Sequence, residues 1–361
     1  MIPASAPATA TARGVASATA TLGPRRPRHH RLHRRDALTG WIFAAPAVLG
    51  LIVFLALPIA LTVWVSFRDW NGIGSPFDAE YTGSENYREL LVDDGLRRND
   101  FARSIRNTFY YVVIVVPLQT MFAMFLAFLV NQRFLRGRGA FRTMLYFPSI
   151  TSSIAITLIW LVLFTPSGVV NRILPFDRID WFDEPNGLIH NALGLAGIDR
   201  APGWMEAEVW GLELWDWLSG PSVSLFAIML LTIWTTSGTM MLIFLGGMQN
   251  ISRDIEEAAS IDGATWIKRF RLVVIPMLRP QIYLTVTLGI IGCWQVFDQV
   301  YASNQGGPQK TTLTPAFLIY QQAFSNSKAG LAATTAIVLF VIILAFTWVQ
   351  RRIMGTSERL A

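Results

Sequence analysis

The chain has 361 residues, of which 52% are hydrophobic and only 15% charged, and its mean hydropathy is +0.41. That balance excludes an ordinary soluble domain, in which about a quarter of the residues are charged. The net charge of +6 has no accompanying aromatic-basic patch, so nucleic acid is a poor reading of it. The lone cysteine, Cys293, lies in an apolar run and excludes a disulfide framework or a Cys-based metal site.

Residues 1–36 are Ala, Thr, Ser, Pro and Arg with few large apolar side chains, the composition of a disordered basic tail. His29, His30 and His33 share that tail and read as part of its positive charge rather than as metal ligands. A cleaved secretory signal does not fit. The apolar run after Asp36 is 31 residues long, about twice a signal-peptide core, and no clear small-x-small site ends it.

Crossing the ~30 Å of membrane hydrocarbon takes ~20 apolar residues. Six windows free of Asp, Glu, Lys and Arg are long enough: 37–67, 107–132, 143–171, 217–252, 280–297 and 329–350. They predict an all-α integral membrane protein with six transmembrane helices, at about 40–67, 107–131, 143–165, 222–248, 276–298 and 329–350. Pro46 and Pro58 punctuate the over-long first run. Window 311–327 is shorter and carries Ser, Thr, Gln and Asn, the pattern of a partly helical loop. With both termini placed in the cytoplasm, 19 of the 30 Lys and Arg fall in inner segments and 11 in outer ones. The outer segments also hold 18 of the 24 acids, so the charge is read as an orientation signal.

The segment after the first helix contains Gly83-x-x-Asn86-Tyr87 and then Asn107-Thr108 at the start of the second. A four-arginine loop, 133–142, joins helices two and three, and Gly168 and Asn171 follow the third. Segment 172–216 is acidic and bears Trp181, Trp204, Trp210 and Trp215. Residues 185–198 within it suit a short helix that cannot span. An interfacial aromatic belt and a docking surface for an external partner are both compatible with it.

Between helices four and five, a charged stretch is set among apolar neighbours, and it must sit in water or against protein. It reads as two short helices, the first capped by Ser252 and the second by Asp262, with Gly263 supplying the turn. Ile255, Ala259, Trp266 and Phe270 mark an apolar side at helical spacing. Glu257-Ala258-Ala259, Gly263, Val273 and Ile275-Pro276 together resemble the EAA loop of ABC-importer permeases, in register at every position. The Gly-x-x-Asn-Tyr and Asn-Thr marks, Gly306-Gly307-Pro308, and Ile319-Tyr320-x-x-Ala323-Phe324 resemble the carbohydrate (maltose/glycerol-phosphate-like) branch. The resemblance extends over about 38–352 and is weakest in 172–216.

That resemblance implies the type I importer permease fold in the bacterial cytoplasmic (inner) membrane, a transmembrane domain at 37–352, a coupling loop at 250–275 and a cytoplasmic tail at 353–361. It implies a subunit that is not an enzyme, with no cofactor of its own. The expected partners are a cytoplasmic ABC ATPase dimer holding ATP and Mg, a second and related permease chain, an extracytoplasmic solute-binding protein and membrane lipid. The absence of a Gly-x-x-x-x-Gly-Lys-Ser/Thr loop agrees, as does the lack of a credible Ser-His-Asp set. The residues expected to couple to the ATPase are Glu257, Ala258, Ala259, Asp262, Gly263, Ala264, Phe270 and Pro276. The substrate path is expected along helices four and five, at Thr232, Trp234, Thr235, Thr236, Thr239, Trp294, Gln295 and Asp298. Uncharged hydroxyls, an amide and aromatic rings suit sugars. The ordinary alternative for any single Thr is back-bonding to its own helix. Polyamine, phosphonate and peptide importers remain rivals within the class, and a stand-alone secondary carrier is the rival outside it. The intramembrane windows hold no ionisable pair such as a coupled carrier needs.

Overall fold

The computed structural model describes residues 34–132, 137–174, 178–198 and 201–355, and within them all side chains but those of 34–38, Arg253, Glu256 and Ser260. The basic tail up to residue 33, Arg133 and Arg136 of the arginine loop, and residues from 356 onward lie outside the described residues.

Among the described residues, those up to Leu57 form one compact unit and those from Pro58 a second. The first unit contains α1 (Arg34–Leu51) and a wide helical turn at Ile52–Ala56. Helix α1 includes residues 34–36, expected from the sequence to belong to the disordered tail. Trp41 and Phe43 on it are exposed, as suits a lipid-facing surface.

The second unit starts within α2 (Leu57–Val65) and continues through a two-stranded ribbon of β1 (Arg68–Asp69) and β2 (Glu80–Tyr81), then α3 (Glu85–Leu91). Helix α4 (Leu96–Asn131) follows, then α5 (Arg138–Ile150), α6 (Ser153–Leu163), α7 (Val169–Ile173) and α8 (Leu188–Leu195). A hairpin of β3 (Glu208–Val209) and β4 (Leu212–Glu213) leads through α9 (Leu214–Trp217) into α10 (Val223–Gln249). The chain then forms α11 (Arg253–Ile261), α12 (Trp266–Arg269), α13 (Ile275–Met277), α14 (Arg279–Trp294), α15 (Asp298–Ala302), α16 (Pro315–Tyr320) and α17 (Ala329–Met354).

Among the described residues, four helical stretches are long and apolar enough to cross a membrane: Thr39–Val65, Leu96–Asn131, Val223–Gln249 and Ala329–Met354. Two bent pairs bring the number to six. The predicted single helix 143–165 is α5 and α6, bent by 97°. Pro148 removes one amide donor, and the Thr151 hydroxyl donates to the Phe147 carbonyl at 2.9 Å, so the helix has local alternatives where it breaks. The predicted helix 276–298 is α13 and α14, bent by 68° where Pro280 supplies no donor. It stops at Trp294, so Gln295, Val296 and Phe297 are irregular rather than helical. Helix α4 is longer than predicted. Its 36 residues reach about 54 Å, so its first turns, which carry Arg97, Arg98, Asp100 and Arg103, extend beyond the hydrocarbon.

The main core lies where α4, α10, α14, α16 and α17 meet around Tyr111, Leu225, Ile228, Trp294, Phe317 and Leu331. A second cluster joins Ala127, Met241, Phe244, Val274 and Leu278. The small polar marks found in the sequence act as clamps. Asn86 donates to the carbonyls of Ser66 and Arg68 at 3.0 and 3.1 Å. Asn107 donates to those of Lys310 and Leu313 at 3.1 and 3.0 Å, fixing the loop after α15 to α4. Asn171 binds Thr165 and Ile179 and accepts from Trp181. Each satisfies backbone groups that no helix or strand pairs.

Candidate functional site

Two adjoining cavities open between α4, α5, α6, α10 and α14. One, of about 340 Å3, is lined by Ser149, Thr151, Ser153 and Thr157 from the break between α5 and α6, and by Thr235, Thr236 and Thr239 of α10. The other, of about 270 Å3, is lined by Tyr111 and Gln119 of α4, Thr232 and Thr236 of α10, and Gln295 and Asp298 beyond the end of α14. Thr236, Met240, Leu288 and Gln299 line both.

Local chemistry builds these walls. Ser149 donates to the Thr235 carbonyl at 2.6 Å and accepts from the Thr239 amide at 3.1 Å. An undisturbed helix pairs those two groups with each other, so the hydroxyl wedges α5 into the α10 ladder. Gly238 makes the approach possible, because a Cβ there would meet Ser149 Oγ at 2.5 Å and Tyr146 Cα at 3.0 Å. Gln119 is buried, its Oε1 accepts from Thr236 at 2.8 Å, and its amide lies over Gly289, which has no side chain to block it. Tyr111 and Thr232 share a buried hydroxyl–hydroxyl hydrogen bond. Beyond Trp294 the backbone leaves the helix, and irregular backbone at this depth is tolerated where it lines a cavity.

Six of the eight residues expected on the path therefore come together: Thr232, Thr235, Thr236, Thr239, Gln295 and Asp298. Thr235 donates to the Leu231 carbonyl of its own helix at 3.0 Å, and the single Thr236 proton is shared between Gln119 Oε1 and the Thr232 carbonyl at 2.7 Å, which leaves the lone pairs of both hydroxyls to accept. The other two are elsewhere. Trp294 is 1% exposed and packs on Phe346 with ring centroids 5.1 Å apart, inside the main core. Trp234 is 42% exposed and stacks on Trp160 at 5.6 Å, away from both cavity linings. Tyr111, Gln119, Ser149 and Gln299 were missed by sequence reasoning. A Gln within an otherwise apolar span, and the Ser-rich stretch after Pro148, were the available signals.

The charged stretch folds as α11 and α12. Ser252 caps α11 as expected, accepting from the Asp254 amide at 3.2 Å. Gly263 has φ +74°, and the Ala264 amide reaches back to the Ala259 carbonyl at 3.0 Å, which is how a left-handed residue closes a helix end. Asp262 does not cap α12. Thr265 does, accepting from the Lys268 amide at 3.4 Å, because the turn through Gly263 puts Thr265 rather than Asp262 next to the first turn of α12. Trp266 and Phe270 pack on Phe128 of α4, with ring centroids at 6.0 and 5.0 Å. Ile255, Glu257, Ala258, Ile261 and Asp262 are exposed, Ala259 and Ala264 half-buried. Pro276 is half-buried in α13, and Val274 and Leu278 beside it belong to the second core cluster. One bent helical pair, Trp266–Met277 with Arg279–Trp294, thus runs from the exposed stretch to the cavity wall.

Residues 95–354 match the family described as "Binding-protein-dependent transport system inner membrane component". The lactose transport system permease protein LacF of Rhizobium radiobacter is 32% identical over 320 residues, covering 87% of this chain and 94% of that protein. The probable ABC transporter permease protein YesP of Bacillus subtilis (strain 168) is 30% identical, with 86% and 88% covered. Among solved structures, a chain of a bacterial ABC transporter involved in the import of the acidic polysaccharide alginate is similar in fold. Its TM-score is 0.66 at 18% identity, covering 90% of this chain and 96% of that one.

Proposed function

The chain belongs to the family of inner membrane components of binding-protein-dependent transport systems, and we propose that it passes a sugar, oligosaccharide or polyol derivative through the cavity between α4, α10 and α14. It is a multi-pass transporter subunit rather than an enzyme. Relatives named for lactose, trehalose/maltose, arabinooligosaccharides and sulfoquinovosyl glycerol support a carbohydrate cargo. The cavity chemistry agrees, since hydroxyls and amides on apolar walls suit a polyol.

The carrying observation is the bent helical pair from Trp266 to Trp294, whose far end reaches the cavity and whose near end adjoins exposed α11. In this reading α11 docks on a cytoplasmic ATPase subunit through Ile255, Glu257, Ala258 and Ile261. The ATPase dimer holds ATP and Mg. Its closure pushes α11 and α12, and Trp266 and Phe270 pass the movement to α4 through Phe128 while α13 passes it to α14. A second, related permease chain completes the path, and a solute-binding protein delivers cargo to the outer face. The membrane is the bacterial cytoplasmic membrane, with both ends of the chain inside, as the 19-to-11 distribution of Lys and Arg favours.

Reconstitution tests it. Proteoliposomes holding this chain, the second permease and the ATPase should take up labelled oligosaccharide only with ATP inside the ATPase-facing compartment and loaded binding protein outside. Uptake by this chain alone, driven by a proton or sodium gradient, overturns the reading.

A further inference from the structure

The cavity walls contain no Lys, Arg or His among the described residues, and one carboxylate, Asp298. Asp298 is exposed at the start of α15, just beyond the unwound Gln295–Phe297, and has no ion-pair partner among the described residues. Basic side chains on the neighbouring segments are turned to other tasks. Lys310 pairs with Asp100 at 2.7 Å, and Arg106 donates to the Asp216 carbonyl at 3.1 Å. The remaining polar wall is neutral: Gln119, Thr232, Thr236, Gln295 and Gln299.

We propose that this chain's side of the path selects uncharged carbohydrate and that Asp298 is the residue that turns anionic sugars away. The proposal rests on the carbohydrate reading above and narrows it. A carboxylate or sulfonate brought into a low-dielectric cavity must exchange its hydration for a cation or for several directed donors. Among the described residues no basic side chain lines the cavity, and the carboxylate of Asp298 adds repulsion at the position where the unwound backbone opens the wall. A neutral polyol meets neither penalty. Its hydroxyls can donate to the free lone pairs of Thr232 and Thr236 and to Asp298, and accept from the Gln295 and Gln299 amides. One exposed carboxylate, without a second, is too little to replace the hydration of a polyamine.

The charge is read directly with thiol reagents on the assembled permease–ATPase complex. Cys293 is replaced by serine, Gln299→Cys supplies the probe, and modification rates of a cationic and an anionic methanethiosulfonate are normalised to the same reagents on a free thiol in solution. One carboxylate at a few ångströms should favour the cationic reagent by roughly 3- to 10-fold, and Asp298→Asn should bring the ratio near unity. Protection of the same cysteine is then measured with neutral gluco- and galacto-oligosaccharides and with the same sugars oxidised at C6 to uronates. Neutral sugars should protect and uronates should not, and Asp298→Asn should raise the uronate-to-neutral ratio. A normalised ratio at or below unity with Asp298 present overturns the proposal, as does protection by uronates equal to that by neutral sugars, or stronger protection by spermidine. If no carbohydrate protects while the reagent ratio stands, the carbohydrate reading fails and the exclusion of anions is upheld.

Discussion

Replacing Gly263 by valine isolates the link between the exposed loop and the ATPase. Gly263 has φ +74°, and nothing lies within 4 Å of a Cβ built there, so the substitution meets no steric obstacle within the chain. Its cost is conformational. A β-branched residue disfavours this region, and the strain is of order 1–3 kcal/mol. If the backbone relaxes instead, the 3.0 Å bond from the Ala264 amide to the Ala259 carbonyl is lost, at about 0.5–1.5 kcal/mol, and α11 leaves its angle to α12. Neither path displaces a buried core residue, and Trp266 and Phe270 keep their packing on Phe128. The chain should therefore accumulate in the membrane at normal levels. Discharged onto a docking contact, 1–3 kcal/mol weakens association by roughly 5- to 150-fold. The assay is co-purification of the ATPase with this chain, together with hydrolysis stimulated by loaded binding protein; both should fall. Gly263→Val with the ATPase fully retained and transport at the normal rate refutes the reasoning, because the turn would then carry no coupling.

Gln295→Ala should lower transport while the ATPase remains bound, measured by uptake and co-purification; normal uptake removes Gln295 from the path. Trp294→Ala should behave differently, losing about 3–5 kcal/mol of stability, read as a lower unfolding temperature in detergent, because the side chain is 1% exposed. Gly238→Val should separate α5 from α10 at a cost of about 1–3 kcal/mol, whereas Gly246→Ala, with nothing within 4 Å of its added Cβ, should leave the unfolding temperature unchanged or slightly raised. A cysteine at Ser325 should react with a membrane-impermeant thiol reagent added outside and one at Ala361 should not; the reverse pattern inverts the orientation.

What the sequence determined by itself is what depends on neighbours along the chain. Apolar runs of sufficient length predict the spans, and the positions of Val223–Gln249 and Ala329–Met354 differ from prediction by a few residues at most. Glu257, Gly263 and Pro276 identify the loop at fixed spacing, and a glycine at the turn foretells its left-handed backbone. Hydropathy averages a segment, however, and does not say which face of a helix meets protein, cavity or lipid. Trp234 and Trp294 share the aromatic character expected of a sugar path, yet one stacks on Trp160 and the other is sealed against Phe346. Their partners lie 74 and 52 residues away along the chain, beyond the reach of local pattern. The bend at Thr151 and the unwinding after Trp294 are likewise tertiary decisions. A broken helix in the membrane persists only where other groups satisfy the freed backbone, as the Thr151 hydroxyl does for the Phe147 carbonyl and the Thr314 hydroxyl for the Val296 carbonyl. The tertiary structure therefore decided the cavity. Its walls are the irregular backbone at those two breaks and the polar faces of α4 and α10 turned toward one another.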